Sequence, residues 1–266
     1  MKIEDKGEQN ISQILSPAEY YAYLEQDQPS AAGLGLLNKF LSDMLPKDGG
    51  PTRNQVRSIL EVVAQPTRLS RVLTSVLSDP NQAEALALRS YGHSTGMERI
   101  QLAAAGPYSL RLHFWMPARD EVIPEDPHNH VYQFGAKVLS GILVTDLYAR
   151  GGEGEQMNMY EIASQTTLVK PKPEQIGVAR LVHMTPPGGI VLTSQDHAYT
   201  MSETVIHSVT HGDSRQPVIT LNLRGPTVRD RSTFFRDETM PTANPTPTPV
   251  DIVSRLGSLL HQISQE

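Results

Sequence analysis

The 266-residue chain contains no cysteine. This absence excludes disulfides, thiolate zinc sites and cysteine nucleophiles together. A metal ion would therefore have to be held by histidine, aspartate or glutamate. Nine histidines are present, and their spacing matters more than their number.

Long hydrophobic runs and an excess of positive charge are also missing. No apolar run approaches the roughly 20 residues needed to span a bilayer, and Met1–Lys6 lacks the apolar core of a signal peptide. The formal net charge of -6 argues against a nucleic-acid surface, which needs clustered lysine and arginine. We therefore expect a cytoplasmic protein that acts on a small molecule, with no nucleic-acid and no membrane partner.

Residues 1–90 are predicted to form a helical region. Ser16-Pro17 is a plausible helix start, and apolar residues then recur at helical spacing. The predicted helices run from near Ala32 to Leu45, over Arg53–Val63, from Pro66 to Leu77, and on to about Leu88. Their apolar stripes favour packing against one another or against the rest of the chain.

From about Met97 the hydrophobic period changes to two, which is typical of strands. Gly151–Glu155 is predicted to be a loop or hairpin tip. Many short strands predict a mainly β sandwich or barrel over residues 91–236. The predicted strands are Arg99–Leu102, Tyr108–Trp115, the run from His128 to Gly141, Ile142–Tyr148, Met157–Ala163, Val178–Met184, Ile190–Thr193, Val205–Thr210 and Val218–Leu223.

Residues 237–266 are predicted to be a stiff proline-rich linker, Pro241–Pro249, and an amphipathic helix. The helix has one apolar stripe that includes Ile252, Leu256 and Leu259. This stripe would dock back on the chain or on a second copy, so a homodimer stays open.

The segment His128-Asn129-His130 carries the strongest chemical signal. Side chains alternate along an extended strand, so the two imidazoles are expected on one face. That arrangement presents two ligands to one metal ion.

This segment resembles the first motif of the cupin superfamily, in which His-x-His is followed by a glutamate and then a glycine. His128, His130 and Gly141 stand at those spacings, and Phe134 occupies the glutamate position. The resemblance implies a neutral three-histidine metal site in a cupin β-barrel. The second motif would begin at the turn Pro187–Gly189 and supply His207 as the third ligand.

Within the superfamily, residues from about Tyr91 to Val209 most resemble the cysteine dioxygenase-like thiol dioxygenases. That resemblance implies a ferrous ion, Fe(II), in a barrel preceded by helices, and an arginine for the substrate carboxylate. Arg99 matches that position, and Arg111 competes for the role. Two departures leave the substrate open: no cysteine can form a Cys–Tyr crosslink, and no Ser-x-His-x-Tyr follows His207, because Tyr199 is the last tyrosine.

Further candidates lie close to these ligands in sequence. Tyr132 is expected to share a face with His130 and could place its hydroxyl near bound oxygen, with core packing as the alternative. His211 could line the pocket, replace His207 as ligand, or simply end its strand. Less specific candidates for a barrel or pocket-mouth position are His113, His183, His197 and Tyr199.

Together with the resemblance, these residues predict a non-haem Fe(II)-dependent oxygenase. Three neutral ligands leave open positions for a chelating substrate, of the thiol or amino/carboxylic acid type, and for O2. Imidazole suits Fe, Zn, Cu and Ni alike, so ligand type alone does not choose the metal. The alternatives are a metal-dependent cupin lyase or isomerase, a C–C-cleaving dioxygenase, and a non-catalytic ligand-binding cupin.

Overall fold

The computed structural model describes residues 33–48, 50–92, 97–116, 125–164, 173–211, 217–237 and 249–264. The predicted helix start at Ser16 and residues 241–248 of the linker lie outside these ranges. The α-helices within them are α1 (Gly33–Met44), α2 (Arg53–Val63), α3 (Pro66–Leu77), α4 (Pro80–Ala87) and α5 (Ile252–Ile263). The strands are β1 (Tyr91–Gly92), β2 (Met97–Ala105), β3 (Tyr108–Trp115), β4 (Tyr132–Ser140), β5 (Leu143–Ala163), β6 (Glu174–His183), β7 (Ile190–Leu192), β8 (Tyr199–Met201), β9 (Ile206–His211), β10 (Val218–Thr227) and β11 (Arg231–Arg236).

The helices form one apolar layer. Helix α2 begins at a capping box, in which the Thr52 hydroxyl accepts from the Gln55 N–H and the Gln55 side chain accepts from the Thr52 N–H. Helices α3 and α4 each begin with proline at the first turn, where its missing N–H costs nothing. None of the described helices is long and apolar enough to cross a membrane.

The C-terminal helix α5 packs on the same chain. Leu256 and Leu259 are fully buried in the apolar cluster formed by the other helices. Arg255 adds a salt bridge to Glu98 of β2. The apolar stripe predicted on this helix therefore packs against α3 and α4 of the same chain.

The larger sheet separates the helical layer from the barrel interior. Its strand order is β1-β2-β3-β10-β4-β8. Leu110, Leu112 and Phe114 of β3 pack with the helices, whereas Trp115 packs with Leu143 of the opposite sheet. Because side chains alternate along a strand, residue 111 shares the inward face with Trp115.

The smaller sheet is built around β5, which pairs with β6, β7, β9 and β11. A second apolar cluster fills the space between the sheets and includes Met97, Val138 and Val218. The two antiparallel sheets with helices before and after them confirm the predicted fold class, a mainly β cupin-type barrel.

The predicted loop at Gly151–Glu155 is wrong. Strand β5 runs without interruption from Leu143 to Ala163, and the glycine-rich segment is a bulge within it. Arg150 and Glu155 both stand opposite Leu181 of β6, so the four residues between them bulge out. Glycine suits this place because a Cβ at Gly154 would lie 1.9 Å from the Leu181 carbonyl oxygen.

The strand that was expected to carry both histidines begins later than predicted. Strand β4 starts at Tyr132, and His128 lies on an extended segment before it. Single β-bridges join His128 to His207 and to Phe234. The prediction also missed β1, β8 and β11.

Candidate metal centre

His128, His130 and His207 converge between the sheets. One ligand atom from each lies within 4.8 Å of the others. The ring centroids are 4.8 Å apart for His128 and His130, 4.7 Å for His128 and His207, and 5.0 Å for His130 and His207. Within the described residues, no carboxylate joins the group.

The segment that holds the first two histidines is fixed from both sides by backbone pairing. The His128 N–H donates to the His207 carbonyl at 2.8 Å, and the His207 N–H donates back at 2.9 Å. On the other side, Asn129 N–H donates to the Thr233 carbonyl at 3.0 Å, and the Asn129 side-chain oxygen accepts from Thr233 N–H at 2.8 Å. The segment therefore fills the space between β9 and β11.

Backbone carbonyls fix the tautomer of two of the rings. Nδ1 of His128 lies 2.9 Å from the Asp126 carbonyl oxygen, and Nδ1 of His207 lies 3.4 Å from the Val205 carbonyl oxygen. Because a carbonyl only accepts, each Nδ1 carries the proton. The Nε2 lone pair of each ring is thereby available to a metal ion.

The buried rings favour the neutral form that metal binding requires. Burial, followed by the neighbouring His128, lowers the pKa of His207 to about 3. Burial, followed by the other two histidines and Arg99, holds the pKa of His130 well below its usual range. Protons therefore do not compete for these two rings near neutral pH.

Aromatic side chains surround the cluster. The Phe134 ring lies 5.0 Å from His130 and 5.8 Å from His207, edge-on to the first. Phe234 of β11 stacks on His128, with 5.3 Å between centroids. Phe134 has no donor atom, so the position where the cupin motif has glutamate supplies no ligand here.

Tyr132 and Arg99, both predicted to serve catalysis, lie beside the cluster. The Tyr132 ring stacks on His130 at 5.0 Å, and the Arg224 guanidinium lies 4.3 Å from the Tyr132 ring centre. Arg99 donates to the Tyr91 hydroxyl. Their catalytic roles stay predictions.

Arg111, the competitor of Arg99, is more deeply buried. Its side chain faces the barrel interior, and the residue is 8% exposed. Burial first, then Arg99, lowers the pKa of Arg111 to about 10. Both arginines stay candidates for a substrate carboxylate.

Three further histidines were candidates from the sequence, and none belongs to the three-histidine group found among the described residues. His211 ends β9 opposite Leu143, and its side chain lies outside the described part of the chain. His183 contacts Tyr148, with 4.5 Å between ring centroids. His197 is exposed, with Nδ1 3.4 Å from a Glu61 carboxylate oxygen.

Two other sequence candidates face the inside of the barrel. His113 stands on β3 opposite Arg99 and Thr220. Tyr199 lies 6.4 Å from Phe134, ring to ring, and burial raises its pKa.

Sequence reasoning missed Arg224 and Phe234. The predicted strand ended at Leu223, although alternation from Thr220 through Asn222 would have placed Arg224 on the inward face. Phe234 lies on β11, which had no strand prediction at all. No local signal relates it to His128, because the two are joined only by the folded sheet.

The comparisons with known proteins give remote likenesses. No family model and no curated protein matches the chain. Among solved structures, an RmlC-like cupin from Shewanella frigidimarina is 13% identical over 52% of this chain and 82% of that chain, with a TM-score of 0.30. A cupin superfamily protein from Desulfitobacterium hafniense is 10% identical over 53% and 87%, with a TM-score of 0.28. Drosophila melanogaster CENP-C bound to CAL1 is 12% identical over 51% and 74%, with a TM-score of 0.29.

The chain itself has two antiparallel sheets with three histidines between them. Together they define a cupin-type β-barrel with a candidate three-histidine metal centre.

Proposed function

We propose that this chain is a non-haem Fe(II)-dependent oxygenase that oxidises a small metal-chelating acid, of the thiol or amino/carboxylic acid type, with O2. The observation that carries the proposal is the convergence of three imidazoles beside Phe134. Three neutral donors with no protein carboxylate leave coordination positions open, whereas a structural zinc site uses four protein ligands.

The donor set fits a ferrous ion. His128, His130 and His207 would hold it, two of them through Nε2 because Nδ1 donates to a backbone carbonyl. The iron, when bound, supplies the dioxygen chemistry. The resemblance to thiol dioxygenases favours iron over the other metals that imidazole accepts.

The neighbouring side chains orient the ligands and the substrate. Stacking of Phe234 on His128 and of Tyr132 on His130 restricts rotation of both rings. Arg99 and Arg111 offer guanidinium donors for a substrate carboxylate, which a planar fork can bind through two hydrogen bonds. The substrate would thereby be held between the arginines and the metal.

The first test is metal analysis of protein purified without oxygen. We expect close to one iron per chain, and its loss in His207→Gln. His261→Gln on α5 is the matched control and should keep its iron. Wild-type protein that holds no metal, or a His207→Gln variant with full metal content and full activity, would overturn the assignment.

The second test measures O2 consumption after adding cysteine, 3-mercaptopropionate or matched acids without the thiol. Uptake with a thiol acid supports the thiol substrate class, and uptake only with the other acids assigns that class instead. Turnover without O2 uptake would replace the oxygenase with a lyase or isomerase.

A further inference from the structure

Three arginines lie on the inward face of three neighbouring strands. Arg99 is on β2, Arg111 on β3 and Arg224 on β10. Arg111 stands opposite Gln101 and Asn222, each two positions from another of the arginines. Such diagonal neighbours on one sheet face are close enough for long side chains to meet.

The guanidinium groups of this cluster have few protein partners. Arg111 is 8% exposed, its Nε atom is buried without a hydrogen bond, and no ion pair compensates its charge within the described residues. Arg99 donates to the Tyr91 hydroxyl and Arg224 donates to the Thr227 hydroxyl at 3.0 Å. The Nε atoms of both are also buried without a hydrogen bond.

No carboxylate neutralises the cluster in the described part of the chain. The ion pairs found there join other residues, and none includes Arg99, Arg111 or Arg224. Glu98, next to Arg99, points to the opposite face and pairs with Arg255. Arg111 consequently feels repulsion from both neighbouring arginines in addition to its burial.

The cluster adjoins the candidate metal centre. The Arg224 guanidinium lies over the Tyr132 ring. The Tyr132 ring in turn stacks on His130, so Tyr132 connects the arginine cluster to the histidines. Arg99 also acts electrostatically on His130. Tyr132, Arg99 and Arg224 are half-buried, so they retain accessible surface although they line the same interior.

The geometry points to a ligand with two anionic groups: we propose that Arg99, Arg111 and Arg224 together bind a small dicarboxylic acid beside the three histidines. One carboxylate would leave two of the three positive charges uncompensated, whereas a dicarboxylate leaves one, and uncompensated charge at a buried position such as Arg111 is costly. Two carboxylates can share the three guanidinium forks. This inference deepens the proposed function and rests on it for the role of the metal, but the charge arrangement is independent of the metal.

Calorimetric titration of the full chain tests the proposal. The probes are malonate, succinate and glutarate, each paired with its monoamide, which has the same shape and one charge fewer. For at least one pair, we expect the diacid to bind at least about tenfold more tightly than its monoamide, because charge-assisted bonds to a buried guanidinium are strong.

The arginine variants locate the site. Arg111→Met and Arg224→Met should each reduce the preference for the diacid over its monoamide to about twofold or less. Methionine keeps the aliphatic volume of the side chain and removes the charge. Arg71→Met, on the exposed side of α3, is the matched control and should keep the full preference. If Arg111→Met does not fold, Arg224→Met decides.

The outcomes separate this inference from the proposed function. His207→Gln should lose metal and still prefer the diacid. Equal affinity for diacid and monoamide in every pair, or a preference that survives both arginine variants, overturns the inference even if iron is bound. A wild-type chain without metal that still prefers the diacid overturns the iron assignment and leaves the inference standing.

Discussion

His128 and His207 exchange two backbone hydrogen bonds, in which the N–H of each residue donates to the carbonyl of the other. This is the hydrogen-bonded pairing of antiparallel strands, in which opposite side chains lie on the same face. The two rings are thereby brought to 4.7 Å between centroids by the backbone. The backbone pairing places these two rings side by side.

Phe134→Glu should convert the open site into a more closed one. A carboxylate there would stand near His130 and His207, and a fourth ligand should tighten metal binding by about tenfold, or about 1.4 kcal/mol. Because it fills an open position, substrate-dependent O2 uptake should fall. Chelator competition and an oxygen electrode measure the two effects.

Phe134→Gln is the control for this change, since a glutamine side chain has the shape of glutamate without its charge. It should not tighten metal binding. Residue 134 stands opposite Arg224, so an unchanged metal affinity in Phe134→Glu would mean that the new carboxylate pairs with that arginine and would contradict the prediction.

The metal-free protein should lose stability in mild acid. His207 titrates near 6.5 in an unfolded chain and at about 3 in the folded one. Between these values the unfolded chain binds more protons, so the free energy of unfolding falls as the pH falls, by about 1.4 kcal/mol per pH unit for this residue. The lowered pKa of His130 acts in the same direction.

Urea unfolding of chelator-treated protein at pH 7, 6 and 5 measures this slope. His207→Gln should show a shallower decline, because one of the proton-linked groups is gone. An identical slope in the variant would show that other groups cause the acid sensitivity.

Asn129→Ala should weaken both the fold and the metal site. The Asn129 side-chain oxygen accepts from Thr233 N–H at 2.8 Å in a buried position. Its loss leaves a buried donor unsatisfied, which costs about 1–3 kcal/mol. It also frees the segment between the two histidines, so metal affinity should fall as well.

Asn38→Ala removes a bond between the same two atom types at an exposed position on α1, from Ala104 N–H to the Asn38 side-chain oxygen at 2.8 Å. It should lower stability and leave metal affinity unchanged. Denaturant melts and metal titrations of both variants separate the two effects. Equal metal affinities in the pair would refute a positioning role for Asn129.

Gly154→Ala should be strongly destabilising, by about 2 kcal/mol or more, because its Cβ would meet the Leu181 backbone. Gly257→Ala on α5 has open space and should stabilise by about 0.5–1 kcal/mol. Thermal melts of both variants measure the effects. A neutral result for Gly154→Ala would argue against the bulge in β5.

The sequence predicted correctly those elements whose ends are marked by neighbouring residues in the chain. Helix α2 and strand β3 agree with the prediction to the residue, because apolar periodicity and flanking turn or proline residues define their ends. The bulge at Gly151–Gly154 was misread because its glycines resemble a turn. Pairing of both halves of β5 with β6 overrides that local signal.

The candidate site shows the same limit. Strand alternation placed His128 and His130 on one face, and the resemblance to the second cupin motif supplied His207; the three do converge. Neither argument could show that Phe234 covers His128, since that contact depends on strand pairing across the fold. The alternation of side chains along β10 could have predicted Arg224 on the inward face. The prediction ended this strand at Leu223, before Gly225 and Pro226, and so left Arg224 out.

The His128 segment is held between β9 and β11, two strands that follow it by many residues in the chain. The bond between Asn129 and Thr233 spans 104 residues, so the first two histidines emerge from the ribosome long before the strands that order them. Contacts of such separation are costly in loop-closure entropy, so we expect them to form after the local helices. A metal ion would therefore be held in this geometry only after β9 and β11 have paired with the segment, and a chain that stalls before β11 would lack the strand that binds Asn129.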